Sequence, residues 1–221
     1  PAGRRVVVHG PRFSLGLIGR AALAAGVVDE TAAQAARAVA VFDQQGCVSP
    51  HVYYVEQGGE TTPARFAERL AAHLARLETE LPRGAISPAE AGAIQAARAD
   101  AEARAIAGAD VRIHAPRGTG FTVIYDADPA FAPSPLNRPI RVKPVADLAD
   151  AAELVRPVAR LIQTVAVAGA GGRLDGLAER LGRAGASRIT SLARMPWPPT
   201  TAHHDGQEPL RELVRWTDIE E

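Results

Sequence analysis

The alternation of apolar and polar positions divides the chain into strand-like and helix-like stretches. Residues 4–10, "RRVVVHG", form a β-branched run closed by glycine and predict a buried strand. "PRFSLGLIGRAALAAGV" follows, with glycines at 16, 19 and 26, and fits either a second strand with its turn or a broken helix. Residues 29–42, "DETAAQAARAVAVF", predict a helix with Asp29 as its cap and an acidic first turn. A polar loop comes next, and then "HVYYVEQ", a strand by its β-branched and aromatic content.

In the stretch from Thr61, Thr62 caps a long amphipathic helix, Pro63 takes its first position, and Phe66, Leu70, Leu74 and Leu77 make one stripe. Ser87-Pro88 opens another helix, to about Ile106, whose charged side reads as a solvated face. "DVRIHAP", "GFTVIYDAD" and "PIRVKPV" are strand-like, the last after the Pro-rich loop "PAFAPSPLNRP". "DLADAAELVRPVA" predicts a helix, "IQTVAVAGA" an apolar strand, "RLDGLAERLGRAGA" a helix stopped at Gly185, and "SRITSLA" a further strand. That strand–helix–strand order calls for parallel pairing in a layered α/β domain. A polar, Pro-rich tail with one short amphipathic segment ends the chain.

Composition narrows the function classes. Of 221 residues 47% are hydrophobic and only 5% aromatic, so Ala, Val and Leu must fill the core. Lys+Arg and Asp+Glu both number 25, a balance that argues against a nucleic-acid partner, which demands excess base. No apolar run approaches the roughly 20 residues that span a bilayer, so no membrane insertion is expected. A single cysteine, Cys47, forms no internal disulfide, and the cytoplasm is the expected compartment.

Several motifs bear on chemistry. "GAGG" at 169–172 lies between a strand and a helix, where a phosphate loop sits, but it lacks both the G-x-G-x-x-G spacing and a Walker lysine. It reads as a tight turn, with Arg173 near enough to meet an anion. The six histidines show no recognised metal-ligand spacing, "HHDG" included, and no metal is expected. No G-x-S-x-G marks a serine nucleophile. Cys47 remains, in "FDQQGCVSPHVYYVE". A lone cysteine is most often a small buried hydrophobe. Here it lies in a loop among Gln44, Gln45, Gly46 and Ser49. Glycine there permits close approach of a carbonyl, and loop N–H groups suit an oxyanion. A thiolate both attacks and leaves readily, which suits thioester exchange.

"FDQQGCVSPHVYYVE" resembles the cysteine loop of the LuxC-type acyl-CoA reductases, members of the aldehyde dehydrogenase superfamily. "ASRITSLARMPWPP" and "HHDGQEPLRELVRWTDIE" resemble that family's C-terminal signature, and "VVVHGPRFSLGLIGR" the segment before the loop. The resemblance implies a three-layer α/β/α fold with a mostly parallel sheet. It also implies one catalytic domain over residues 1–221, the N-terminal cofactor-binding domain being absent from the chain. Cys47 would accept a fatty acyl group from acyl-CoA, and NADPH would reduce the thioester to an aldehyde. Gln44, Gln45, Gly46 and Ser49 would shape the substrate or oxyanion loop, and His204 would move a proton beside Asp205. Asn137 and Arg138 match the place where the superfamily contacts the nicotinamide ribose. A homo-oligomer, and an acyl-transferase or acyl-protein synthetase as partner, are further implications. The chain departs from the hydrolytic dehydrogenases at Phe13, which stands where they carry the glutamate that activates water. Two other classes stay open: a cysteine acyl-transferase or thioesterase, and an interaction domain whose cysteine only packs.

Overall fold

The computed structural model describes residues 8–208 and 210–220. Among these residues seven strands form one sheet: β1 (Phe13–Ile18), β2 (Pro50–Glu56), β3 (Val111–His114), β4 (Thr122–Asp126), β5 (Pro139–Val145), β6 (Ile162–Ala168) and β7 (Arg188–Thr190). Their order across the sheet is β3-β4-β5-β2-β1-β6-β7, and every pairing is parallel except β3 with β4. Five α-helices accompany it: α1 (Val28–Ala40), α2 (Pro63–Glu80), α3 (Pro88–Ile106), α4 (Asp150–Leu154) and α5 (Leu174–Arg183).

Strand alternation explains the layers. Tyr53 and Val55 of β2 face α1 and α2, where Phe66, Leu70, Leu74 and Leu77 pack against them as one buried stripe. Val52 and Tyr54 point to the other face, against Leu177 and Leu181 of α5 and Ala151 and Ala152 of α4. The sheet is therefore covered on both sides, which is the α/β/α arrangement expected, and its central strands read as continuous apolar runs for that reason. At the middle of β1, a Cβ on Gly16 would lie 2.4 Å from the Tyr53 ring, so no larger residue fits.

Local signals account for most boundaries. Thr62 accepts from the Arg65 N–H with Pro63 inside the first turn, and Ser87 and Glu90 form a reciprocal capping box. Two expectations need correction, and a third lies largely outside the described residues. Asp29 does not cap α1: the helix begins one residue earlier, and Asp29 sits in its first turn beside His73 Nε2, at 3.1 Å. Arg98, on the supposedly solvated side of α3, is buried and donates to Thr122 Oγ1 and to the carbonyls of Phe121 and Gly118. The initial strand at 4–10 falls largely outside the described residues, and 8–10 are not extended into a strand. No described helix is long and apolar enough to cross a membrane.

Candidate active site

In parallel α/β sheets ligands usually sit beyond the carboxyl ends of the strands. Here that edge is closed by ion pairs. Arg173, beside the glycine turn, donates from Nη1 and Nη2 to the buried Glu56 at 2.7 and 2.8 Å, and reaches Asp147 Oδ2 at 3.1 Å. Those hydrogen bonds hold the Glu56 carboxyl below its usual range. The cation suggested for an anion is thus committed within the chain.

The cavity of interest opens at the amino edge. It measures about 570 Å³ and brings together Cys47 before β2, Gln163 and Thr164 at the start of β6, Ser187 and Arg188 at β7, and His203 and His204 from the tail. Phe42, Val48 and the prolines at 196, 198 and 199 supply an apolar wall. Among the described residues no Asp or Glu lines it.

The loop that carries Cys47 begins with three consecutive left-handed residues, Phe42, Asp43 and Gln44, at φ of 57°, 50° and 63°. Leu136, Asn137 and Arg138 form a second such run, at 71°, 60° and 77°. None is glycine, so each position is strained and must be held from outside. The two turns hold each other. Gln44 Nε2 donates to the carbonyls of Pro50 and Pro139 at 2.7 and 2.6 Å, while its Oε1 accepts from the Arg138 N–H at 3.1 Å. Arg138, 1% exposed, donates from Nε to Asp43 Oδ1 at 2.8 Å and from Nη1 to the Leu81 carbonyl at 2.9 Å. Gln45 Nε2 donates to Asn137 Oδ1 at 2.9 Å, and Asn137 Nδ2 to Glu90 Oε1 at 3.2 Å.

Asn137 and Arg138 therefore prop the cysteine loop, and neither lines the cavity. Their side-chain nitrogens and oxygens are engaged inside the chain. Replacing Arg138 with methionine is expected to cost about 2 kcal/mol, the scale of charge-assisted bonds left unmade. Denaturant unfolding measures that loss, and faster alkylation of Cys47 reports the loosened loop.

Below the loop, β1 carries an irregular register between Ser14 and Leu15 against β2 and between Phe13 and Leu15 against β6. Such bulges re-aim groups beside functional sites. Ser14, fully buried, donates from Oγ to the Cys47 carbonyl at 2.7 Å and accepts the Thr164 N–H at 3.0 Å. The Ser49 N–H donates to the Gly46 carbonyl at 2.8 Å, which closes the turn around the cysteine. Phe13 itself stacks on Phe131 with centroids 4.7 Å apart.

His51, just after the loop, is buried beside Phe13 and accepts the Ser134 N–H at Nδ1, 3.2 Å away. Burial pushes its pKa from 6.5 down to about 4. A neutral ring in the fold, against one that protonates near 6.5 when unfolded, contributes stability that is complete above that pH. The contribution fades as pH falls toward about 4, by on the order of 3 kcal/mol. Denaturation midpoints across that window should fall more steeply for the natural protein than for His51→Phe.

The tail is tied down by Asp205. Its Oδ1 accepts from Gln163 Nε2 at 2.9 Å and lies 3.3 Å from Arg12 Nε, and its Oδ2 accepts from His9 Nδ1 at 3.0 Å. His204 stacks edge-on against His9 with centroids 4.4 Å apart and projects to the cavity. Ligand atoms of His9, His204 and Asp205 come within 4.8 Å of one another, a meeting across the whole chain that no spacing could announce. Cys47 and His204, paired on sequence grounds, share the cavity. Ser14, Asp43, Gln163 and Thr164 belong to the same arrangement but carried no recognisable signal.

A seven-stranded, mostly parallel sheet between helix layers, with a cysteine loop at its amino edge, defines the class. The fold is that of the aldehyde dehydrogenases. An NAD-dependent aldehyde dehydrogenase from Burkholderia multivorans superposes with a TM-score of 0.65 at 17% identity, over 90% of this chain and 39% of that one. Methylmalonate-semialdehyde dehydrogenase (DddC) from Oceanimonas doudoroffii gives 0.64 at 13% identity, over 88% and 42%. An NADP-dependent glyceraldehyde-3-phosphate dehydrogenase from Bacillus halodurans gives 0.62 at 13%, over 83% and 38%. The chain thus spans about two fifths of the length of these structures. Within that class, the acyl-CoA reductase (LuxC) family profile matches residues 1–216, and the chain belongs to that family. No curated protein matches it in sequence.

Proposed function

We propose that this chain carries the acyl-transfer centre of an NADPH-dependent fatty acyl-CoA reductase. The observation that carries the proposal is the placement of Cys47: a loop braced on three sides presents it to a largely apolar cavity in a chain of the LuxC family. The Cys47 thiolate attacks the thioester carbonyl, a new C–S bond forms, and the coenzyme A thiolate leaves. N–H groups of the loop stabilise the tetrahedral oxyanion, which is the role of Gly46 and its neighbours. Gln44, Gln45 and Ser49 hold the loop's shape, with Asn137 and Arg138 behind them. His204, which lines the cavity, protonates the departing thiolate.

Bound NADPH would supply the hydride, and the Cys47 thiolate would then leave as the aldehyde is released. Among the described residues no carboxylate lines the cavity, which supports reduction over hydrolysis of the acyl-enzyme. Acyl-CoA-dependent oxidation of NADPH by the full-length protein, with aldehyde as product, is the test. Release of free fatty acid without nicotinamide oxidation would favour a thioesterase instead.

A further inference from the structure

Two imidazoles and one carboxylate from opposite ends of the chain aim ligand atoms at one point: His9 Nδ1, His204 Nε2 and Asp205 Oδ2. The carboxylate oxygen lies 3.0 Å from His9 Nδ1 and 3.7 Å from His204 Nε2. Tetrahedral zinc, with bonds of about 2.0–2.2 Å to nitrogen and oxygen, sets its ligand atoms roughly 3.4 Å apart, between those two distances. The carboxylate is also held as a ligand needs to be. The Asp205 side chain is 4% exposed, and its other oxygen, Oδ1, accepts from Gln163 Nε2 at 2.9 Å and lies 3.3 Å from Arg12 Nε. Outer partners of that kind fix a ligating carboxylate and leave its second oxygen for the ion. Both histidine side chains are more than two fifths exposed, so water can complete the coordination.

We infer that His9, His204 and Asp205 form a binding site for a divalent transition ion, Zn²⁺ being the reference case. Two imidazole nitrogens suit such an ion, whereas Mg²⁺ and Ca²⁺ favour oxygen ligands. Binding releases to solvent the proton that His9 Nδ1 shares with Asp205 Oδ2. The Arg12 guanidinium opposes a cation, which makes the site an exchangeable one. Once bound, the ion ties the segment before β1 to the tail, whose Ala202, His203 and His204 line the Cys47 cavity. Metal and proton compete for His204 Nε2, so the ion is no resident cofactor of the acyl transfer proposed above, and its binding is read without turnover.

The test follows the thermal midpoint of the full-length protein, stripped with EDTA and dialysed, as Zn²⁺ is added. A ligand of the native state raises the midpoint in step with its occupancy, and EDTA should reverse the rise. His9→Ala should weaken the apparent affinity at least about tenfold, the low end of what even the outer partners of a metal contribute. Asp205→Asn, which keeps the side chain's shape and removes its charge, should do the same. The metal-free midpoint of each variant shows that it is folded. Mg²⁺ should give no rise. Cys47→Ser should keep the full response to Zn²⁺, which separates this site from a thiolate ligand in the same cavity. No rise with Zn²⁺, a rise of equal midpoint concentration in both ligand variants and the natural protein, or a rise lost in Cys47→Ser overturns the site. None of these results bears on acylation of Cys47, which is measured separately.

Discussion

Cys47→Ser is expected to lower aldehyde formation from acyl-CoA by at least about a thousandfold, as removal of a covalent nucleophile does elsewhere. A serine hydroxyl is barely ionised near neutrality, and among the described residues no carboxylate lines the cavity to act as its base. Any ester it did form would exchange poorly, because alkoxide is a far worse leaving group than thiolate. Stability should barely change. The side chain is only half-buried, and the backbone bond from Ser14 to the Cys47 carbonyl is untouched. A large loss of turnover with an unchanged thermal midpoint separates a nucleophile from a packing residue.

Asp126→Asn is expected to give the largest loss of stability, about 3–5 kcal/mol, because it strands a buried charge. Lys143, the only lysine in the chain, is 1% exposed, and its Nζ donates to Asp126 Oδ2 at 2.8 Å and to the Asp128 carbonyl at 2.5 Å. Arg104 donates to both oxygens of the same carboxylate, at 2.8 and 2.9 Å. Burial opposes the charge on Asp126, but the bonds from Arg104 and Lys143 outweigh it and hold the pKa at about 2. A lowered carboxylate pKa contributes stability present above about 3.8 and lost as pH falls toward 2. In the variant that acid-side loss should disappear, and the thermal midpoint at neutral pH should drop by roughly 10 °C. Denaturant unfolding at neutral and acid pH checks both statements.

What the sequence made legible was local. Thr62 with Pro63, and Ser87 with Pro88, announce helix starts within a few residues, and the Phe66–Leu77 stripe has the period of the face it buries. The strand–helix–strand order was enough for parallel pairing and two covered faces. Contacts between distant residues left no such trace. Arg138 finds Asp43 across 95 positions, and His9 finds Asp205 across 196. Both left-handed turns are built without glycine, so the residue that usually betrays such a turn was missing. The glycines at 169–172 drew attention to the carboxyl edge of the sheet, where Glu56 turns out to occupy Arg173. The bulge at Ser14, which joins Cys47 to Thr164, sits inside a stretch whose pattern fitted a strand or a broken helix equally. Charge misled too: Arg98, Lys143 and Glu56 look like surface residues until their partners are known.

The most direct measurement is the intact mass of the full-length protein after incubation with a fatty acyl-CoA in the absence of reductant. A gain of one acyl group is expected, mapped to the peptide holding Cys47, removed by hydroxylamine and absent from Cys47→Ser. An unmodified mass, or an adduct that persists in the serine variant, would contradict Cys47 as the acyl acceptor.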